Sequence, residues 1–180
     1  MKKILREYGF LGLVSITIIV LDQWTKLWVR SQLEYGEAWA PWDWLLPYMR
    51  VIHAQNTGAA FGMLQGLNAV FTVLAIIVSC VILYYFPRVP REDWLLRLAL
   101  ALQFGGAVGN LIDRITEGYV TDFISVGMFP VFNIADASIS VGVALLILAM
   151  WLKEREQKSQ DTSPNPEQAE TQNQEEMRSG

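Results

Sequence analysis

Cysteine and histidine are almost absent from this chain, with one of each among 180 residues. Cys80 has no second cysteine with which to form an intrachain disulfide, and within an apolar run it is expected to be a small buried hydrophobic residue. His53 alone cannot supply the Cys and His clusters that bind zinc. The sequence therefore predicts no thiol chemistry, no metal site and no cofactor.

Charge is scarce as well, because 18% of the residues are charged and 52% are hydrophobic, which is unusual for a soluble domain. The stretch 67–86 carries no charged residue over twenty positions, about the length that a helix needs to cross a hydrocarbon core of roughly 30 Å. The first 152 residues hold eleven acidic and ten basic residues, so no basic surface for nucleic acid is expected. These shortages indicate a membrane protein.

Four apolar segments fit helices that cross the membrane. The fold class that we predict is an all-α polytopic membrane protein with four transmembrane helices and two long outer loops. The spans are expected at about 10–29, 67–86, 94–112 and 136–152, and the outer loops at about 30–66 and 113–135.

The two ends of the chain differ in composition. Segment 1–21 is similar to a signal peptide, but no small-residue cleavage site follows it, so we expect an uncleaved first span. Segment 153–180 holds seven acidic and four basic residues, with only Ala169 and Met177 apolar. Because such a segment cannot bury enough apolar surface to fold, we expect one membrane domain over 1–152 and a disordered tail over 153–180.

Basic residues set the expected orientation, since cytoplasmic loops are enriched in lysine and arginine. Such residues precede the first span, occupy the short loop between the second and third spans, and follow the fourth. These three positions share one side of a four-span path, so both termini are expected to be cytoplasmic. The residues are Lys2, Lys3, Arg6, Arg88, Arg91, Lys153, Arg155 and Lys158.

The outer loops contain segments with strand character. β-branched and aromatic residues over 49–56 and 119–126 predict extended segments, and so a small sheet on the outer side. The aromatic segment 42–49 suits a membrane interface.

Asp122 and Asp136 are the leading candidates for chemistry. Both lie at the predicted outer boundary, and ionisable groups in or near a bilayer are functional candidates by default. Two carboxyl groups a few ångströms apart can share a proton, so that one acts as an acid and the other as a base on water. In the alternative interpretation, Asp122 caps a turn and Asp136 is a first-turn acid stabilised by the helix dipole.

Several polar residues accompany these acids. Asn133, three residues before Asp136, would orient that acid, bind substrate or cap the helix. Asn56 offers a donor and an acceptor in a glycine-rich connection that on its own reads as a turn. Arg114, four residues after Asn110, would balance a carboxylate, grip a polar substrate group or snorkel to the interface.

Two further pairs are expected to be structural. Gly105 and Gly109 form a small-xxx-small face that allows close helix packing in a bilayer. Asp22 and Lys26 are spaced i, i+4 near the outer end of the first span, where an ion pair would tie this helix to its neighbours. A direct catalytic role for this pair is the alternative.

Together these motifs resemble lipoprotein signal peptidase, also called signal peptidase II, a family of bacterial aspartic peptidases of the inner membrane. The resemblance covers about residues 8–152. It is carried, in order, by DQWTK at 22–26, NTGAAFG at 56–62, GGAVGNLIDRITEGYVTDF at 105–123 and FNIADASI at 132–139. One departure is Gly62, where many members carry serine, a small change away from the acids.

The resemblance implies a fold, a substrate and a site. The fold is four transmembrane helices with a small extracytoplasmic β-cradle and an interfacial helix in the first outer loop. The substrate is a diacylglyceryl-modified prolipoprotein cut just before its lipidated cysteine, and globomycin-type lipopeptides are expected inhibitors. The catalytic aspartates fall on Asp122 and Asp136, the substrate contacts on Asn56, Asn133 and Arg114, and Asn110 supports the site.

Two other classes of protein stay open at this stage. A proton- or ion-coupled transporter would use the same acids as a relay, although transporters place such groups near the midplane and often contain repeats, which we do not find here. A structural membrane scaffold would explain the tail but not the outer polar residues. For the peptidase we expect a monomer among the lipids of the inner membrane, with its site near the outer leaflet.

Overall fold

The computed structural model describes residues 2–58 and 66–161, and the side chains of residues 7–58 and 66–158. The chain divides into two units, residues 1–146 and residues 147–180. The candidate site lies entirely in the first unit, and Gly62 falls outside the described residues.

Four α-helices account for most of the described chain. They are α1 (Lys2–Gln32), α2 (Asn68–Tyr85), α3 (Trp94–Thr116) and α4 (Ile134–Asp161). Each contains a stretch that is long and apolar enough to cross a membrane. The predicted four spans are therefore confirmed, in number and in order.

Helix α4 continues beyond Leu152, where the sequence predicts the start of a disordered tail, and ends at Asp161. Residues 153–158 are charged or polar, and Lys158 pairs with Glu154 at 2.6 Å in the i, i+4 spacing that supports an exposed helix. The rest of the predicted tail, 162–180, lies outside the described residues.

The segments that connect α1 to α2 and α3 to α4 form a three-stranded antiparallel sheet, with the strand order β1-β2-β3. The strands are β1 (Ala38–Trp39), β2 (Met49–Asn56) and β3 (Val120–Val126). The two longer strands match the predicted segments, whereas β1 is too short to produce a periodic pattern. Between β1 and β2, Asp43–Leu45 forms a single 3-10 turn in the aromatic segment, with Trp42 and Trp44 exposed and stacked at 6.1 Å.

Helix α3 packs closely on both α1 and α4, and its glycines make this possible. A Cβ at Gly105 would lie 3.0 Å from the Cβ of Ile18 on α1. A Cβ at Gly106 would collide with the carbonyl oxygen of Ala135 and lie 2.5 Å from Oγ of Ser138 on α4. The two adjacent glycines therefore serve two different helices: a methyl group would collide with α4 at Gly106 and would make a tight contact with α1 at Gly105.

Helix α2 is the least buried of these helices, and only Ser79 and Ile82 on it are buried. The Cys80 side chain is exposed, so the expectation that Cys80 is buried is wrong. The reason is that a span surrounded by lipid has apolar residues on all sides, so an apolar run does not reveal which face packs against protein.

Candidate active site

A cavity of about 700 Å³ lies between α2, α3, the first turns of α4 and the loop that precedes α4. One part of its lining is polar and contains both candidate catalytic acids, while the α2 side and the preceding loop are apolar. The polar part includes Asn56, Asn110, Arg114, Asp122 and Asp136, and the apolar part includes Phe71, Leu74, Val78, Phe129 and Val131.

Asp122 lies on β3 and is only 3% exposed. Its Oδ2 accepts a hydrogen bond from Nδ2 of Asn56 at 2.9 Å, and its Oδ1 accepts one from Nδ2 of Asn133 at 2.7 Å. The pairing of β2 with β3 places Ala54 opposite Asp122, which brings Asn56 to the acid. Within the described residues, no cationic side chain forms an ion pair with Asp122.

Asp136 lies in the first turn of α4, three residues after Asn133. The backbone N–H of Asp136 donates to Oδ1 of Asn133 at 2.9 Å, and the backbone N–H of Asn133 donates to Oδ2 of Asp136 at 3.2 Å. This reciprocal pair has the geometry of a capping box. The other carboxylate oxygen accepts from Nδ2 of Asn110 at 2.7 Å. Asp136 thus stabilises the start of α4 and lines the cavity at once.

Asn133 connects the two acids and is fully buried. Its Nδ2 donates to Asp122, while its Oδ1 and backbone N–H bond to Asp136. A single residue therefore holds both carboxyl groups at the same cavity wall.

Burial raises the pKa of the Asp122 carboxyl from its ordinary value of 3.8 to about 7, and the negative charge of Asp136 adds to this rise. The donors of Asn56 and Asn133 and the charge of Lys26 oppose it, because they stabilise the carboxylate. Near neutral pH, both the protonated and the ionised forms of Asp122 are therefore populated.

Asp22 and Lys26 form the predicted ion pair, and the pair belongs to a larger buried cluster. The Lys26 ammonium, 0% exposed, lies 2.8 Å from Oδ2 of Asp22 and 3.1 Å from Oδ2 of Asp113. Its third contact is Oδ1 of Asn110 at 2.9 Å. Asp22 also accepts the backbone N–H of Ala135 at 2.9 Å, which ties α1 to the start of α4.

Asp113 is a residue that sequence reasoning missed. Its Oδ2 accepts the backbone N–H of Thr121 at 2.9 Å, and its Oδ1 lies 3.1 Å from Nε2 of Gln23 and 3.7 Å from Arg30. Its spacing of three residues from Asn110 places both on one face of α3, and this spacing is the signal that could have identified it.

Arg114 is at the cavity, as the resemblance implies. Its guanidinium carbon lies 5.7 Å from the centre of the Phe71 ring, and NH1 is 3.5 Å from the backbone oxygen of Asn110. Within the part of the chain that the structure describes, no carboxylate forms an ion pair with it. Its planar set of donors is therefore available to a group that enters the cavity.

These features define a class: a multi-pass membrane protein with two carboxyl groups, one buried (Asp122) and one half-buried (Asp136), that share neutral amide partners at the wall of a largely apolar cavity. A family model described as signal peptidase (SPase) II matches residues 14–152. The chain belongs to this family of membrane peptidases, so the transporter and scaffold alternatives are set aside.

Similar proteins agree with this assignment. The chain is 41% identical over 138 residues to the lipoprotein signal peptidase of Halalkalibacterium halodurans, covering 74% of this chain and 86% of that one. It is 43% identical over 145 residues to the lipoprotein signal peptidase of Acinetobacter baylyi, covering 76% of this chain and 78% of that one.

Solved structures give the same result at the level of the fold. One is a bacterial membrane enzyme solved by the in meso method at 2.3 Å, with a TM-score of 0.75, 29% identity and coverage of 87% of this chain and 93% of that one. Another, solved by the same method at 1.9 Å, has a TM-score of 0.70, 32% identity and coverage of 79% and 92%.

Proposed function

We propose that this protein is an aspartic endopeptidase that removes signal peptides from diacylglyceryl-modified prolipoproteins and cuts just before the lipidated cysteine. The observation that carries the proposal is the pairing of Asp122 and Asp136. Both carboxyl groups line one cavity, both bond to Asn133, and neither has a cationic partner among the described residues.

In the first step of this proposal, Asp122 holds the proton and Asp136 is ionised. The raised pKa of Asp122 supports this assignment. Asp136 accepts two N–H donors at the start of α4, where the helix dipole favours a negative charge. The carboxylate of Asp136 takes a proton from water as the water oxygen attacks the carbonyl carbon, and Asp122 gives its proton to the carbonyl oxygen.

In the second step, the tetrahedral diol collapses and the C–N bond breaks. Asp136 returns its proton to the leaving nitrogen of the cysteine, and a diol hydroxyl returns a proton to Asp122. The signal peptide leaves with a new carboxyl group, the lipoprotein keeps a free amine on its lipidated cysteine, and both acids regain their starting states.

The walls of the cavity fit an apolar substrate. Side chains of α2 such as Phe71, Leu74 and Val78 offer a surface for acyl chains beside the polar end. Leu74 is 48% exposed, so this wall also faces the surroundings of the helix. In the proposal, a lipidated substrate enters sideways from the bilayer, and Arg114 and Asn56 bind polar groups next to the scissile bond.

The proposal includes a location and an orientation. The protein works as a monomer in the inner membrane, with both termini in the cytoplasm and the carboxyl pair near the outer leaflet. The distribution of lysine and arginine supports this orientation. The exposed tryptophans Trp42 and Trp44 support an interfacial position for the first outer loop.

A gel-shift cleavage assay tests the proposal. Purified protein in detergent is given a diacylglyceryl-modified prolipoprotein or its unlipidated precursor, alongside Asp122→Asn and Asp136→Asn variants. We expect cleavage of the lipidated form only, inhibition by globomycin, and no cleavage by either variant. N-terminal sequencing of the product is expected to begin at the lipidated cysteine.

Ser79→Ala serves as the matched control, because Ser79 is a buried polar residue of α2 that does not line the cavity. Its cleavage rate should equal that of the unaltered protein. Retained cleavage in a folded Asp122→Asn or Asp136→Asn variant would contradict the roles assigned to the acids, and no cleavage by folded unaltered protein would contradict the activity.

A further inference from the structure

The three asparagines beside the acids all present the same end of their amide groups to a carboxylate. Nδ2 of Asn56 and Nδ2 of Asn133 donate to Asp122, and Nδ2 of Asn110 donates to Asp136. A rotated amide would instead point its oxygen at the carboxylate and repel it. Each amide must therefore keep this orientation if it is to stabilise its carboxylate.

Each amide oxygen is held by a group that can only donate. Oδ1 of Asn56 accepts the backbone N–H of Gly58 at 2.9 Å, and Oδ1 of Asn133 accepts the backbone N–H of Asp136 at 2.9 Å. A backbone N–H has no acceptor capacity, so these two amides cannot turn around without losing a hydrogen bond.

Asn110 differs, because its oxygen is held by side chains. Oδ1 accepts the ammonium of Lys26 at 2.9 Å and Nδ2 of Asn133 at the longer distance of 3.2 Å. An ammonium has three donors and no acceptor, and a charged donor bonds more strongly than a neutral amide. Lys26 therefore fixes the amide orientation of Asn110, as backbone N–H groups fix those of Asn56 and Asn133.

The position of Lys26 is itself fixed. Nζ of Lys26 lies 2.8 Å from Oδ2 of Asp22, 3.1 Å from Oδ2 of Asp113 and 2.9 Å from Oδ1 of Asn110, and the side chain is 0% exposed. An ion pair that served only to hold α1 against α3 would be complete with the two acids. The third proton is directed at the amide that orients Asp136.

We propose that Lys26 is a positioning residue of the peptidase, which locks the amide of Asn110 so that it donates to Asp136. The inference rests on the proposed function, because it assigns a role relative to Asp136. Lys26 is fully buried and does not line the cavity, so its hydrogen bond acts on Asp136 through Asn110.

The test compares Lys26→Gln with Lys26→Met, which are similar in size and both uncharged. The glutamine amide still offers an N–H to Oδ1 of Asn110, whereas the methionine thioether offers none. Both variants are made in the unaltered chain and in an Asp113→Asn background, where loss of the lysine charge is balanced by loss of one acid.

Relative to Asp113→Asn alone, we expect Lys26→Met to lower kcat about tenfold or more and to leave KM within about twofold, since a charge-assisted hydrogen bond is lost. Lys26→Gln should recover most of that kcat. Adding Asn110→Ala to the methionine variant should lower kcat little further, because both changes remove the same interaction.

Three results would overturn the inference: equal kcat in the glutamine and methionine variants, losses that multiply when Asn110→Ala is added, or loss of the folded protein in both Lys26 variants. The last result would make Lys26 purely structural. The unaltered protein distinguishes the role of Lys26 from the proposed function. If the unaltered protein does not cleave lipidated prolipoprotein, the proposed function itself is contradicted.

Discussion

The molecule contains two pairs of neighbouring aspartates, Asp22 with Asp113 and Asp122 with Asp136, and the two pairs have different side-chain partners. Asp22 and Asp113 are 0% exposed and both form ion pairs with Lys26. Asp122 and Asp136 have neutral amides as side-chain partners and line a cavity. The first pair is neutralised and enclosed, while the second keeps a shared negative charge next to open space. The partner of an acid, more than its burial, therefore decides whether the acid is available for chemistry.

The largest expected effects come from the second pair. Asp122→Asn or Asp136→Asn should lower kcat by about 10²–10⁴-fold, because an acid or a base is removed from the reaction. The folded protein should remain, since an asparagine fills the same space. Cleavage of lipidated prolipoprotein, together with thermal unfolding in detergent, measures both quantities.

Substitutions in the first pair should instead lower the stability of the protein. Asp22→Ala should lower the free energy of unfolding by about 3–5 kcal/mol, because it breaks a buried ion pair and leaves the Ala135 N–H without its acceptor. Thermal unfolding checks this, with Thr17→Ala on the exposed side of α1 as the control. An Asp22→Ala protein as stable as the unaltered one would remove the distinction between the pairs.

A smaller effect is expected where the helix that carries Asp136 meets α3. Gly106→Ala would push its new methyl group into the backbone of Ala135, so α4 must shift. Overpacking of this kind costs about 1–3 kcal/mol. Gly12→Ala is the matched control, because a Cβ there meets nothing within 4 Å. Equal unfolding temperatures and cleavage rates for the two variants would contradict this packing.

The smallest expected effect is the change of activity with pH near neutrality. Because the pKa of Asp122 is raised to about 7, the protonated form should be about half populated at pH 7. Activity should therefore fall as pH rises above about 7, and a pH–rate profile of kcat/KM, which reports the free enzyme, measures this limb. Activity that stays constant up to pH 9 would disagree with Asp122 as the acid.

The same group should affect stability, and the sign follows from the direction of the shift. The folded pKa lies above the ordinary value of 3.8, so the contribution of Asp122 to stability is fully present below about pH 4. It is lost as pH rises through about 7. Asp122→Asn should remove this dependence, and unfolding temperatures measured between pH 4 and pH 8 would show whether it does.

Much of the fold could be predicted because a bilayer imposes strong rules on sequence. Long apolar segments predicted the four spans, although only 67–86 is free of charge throughout, and the segment 49–56 predicted β2 with its observed bounds. The end of α4 was missed, since residues after Leu152 are too polar for a span yet still form helix. The exposure of Cys80 was missed because apolar residues in a membrane protein face lipid as readily as protein.

The site was harder to predict beyond its acids. The i, i+4 spacing of Asp22 and Lys26 predicted their pairing, but the contacts of Lys26 with Asn110 and Asp113 join α1 to α3. Such contacts between helices depend on rotation and packing, which no local spacing determines. The position of Asn133 before Asp136 left an orienting role, a substrate contact and a cap open, and the structure shows that this residue forms the cap and also bonds to Asp122.

The most direct test of the central claim is to observe the proton on Asp122. Infrared difference spectroscopy of the purified protein between pH 5 and pH 9 detects the carbonyl band of a protonated carboxyl group. We expect a band that titrates near pH 7 and is missing in Asp122→Asn but present in Asp113→Asn. A band that persists in Asp122→Asn, or no titrating band at all, would contradict it.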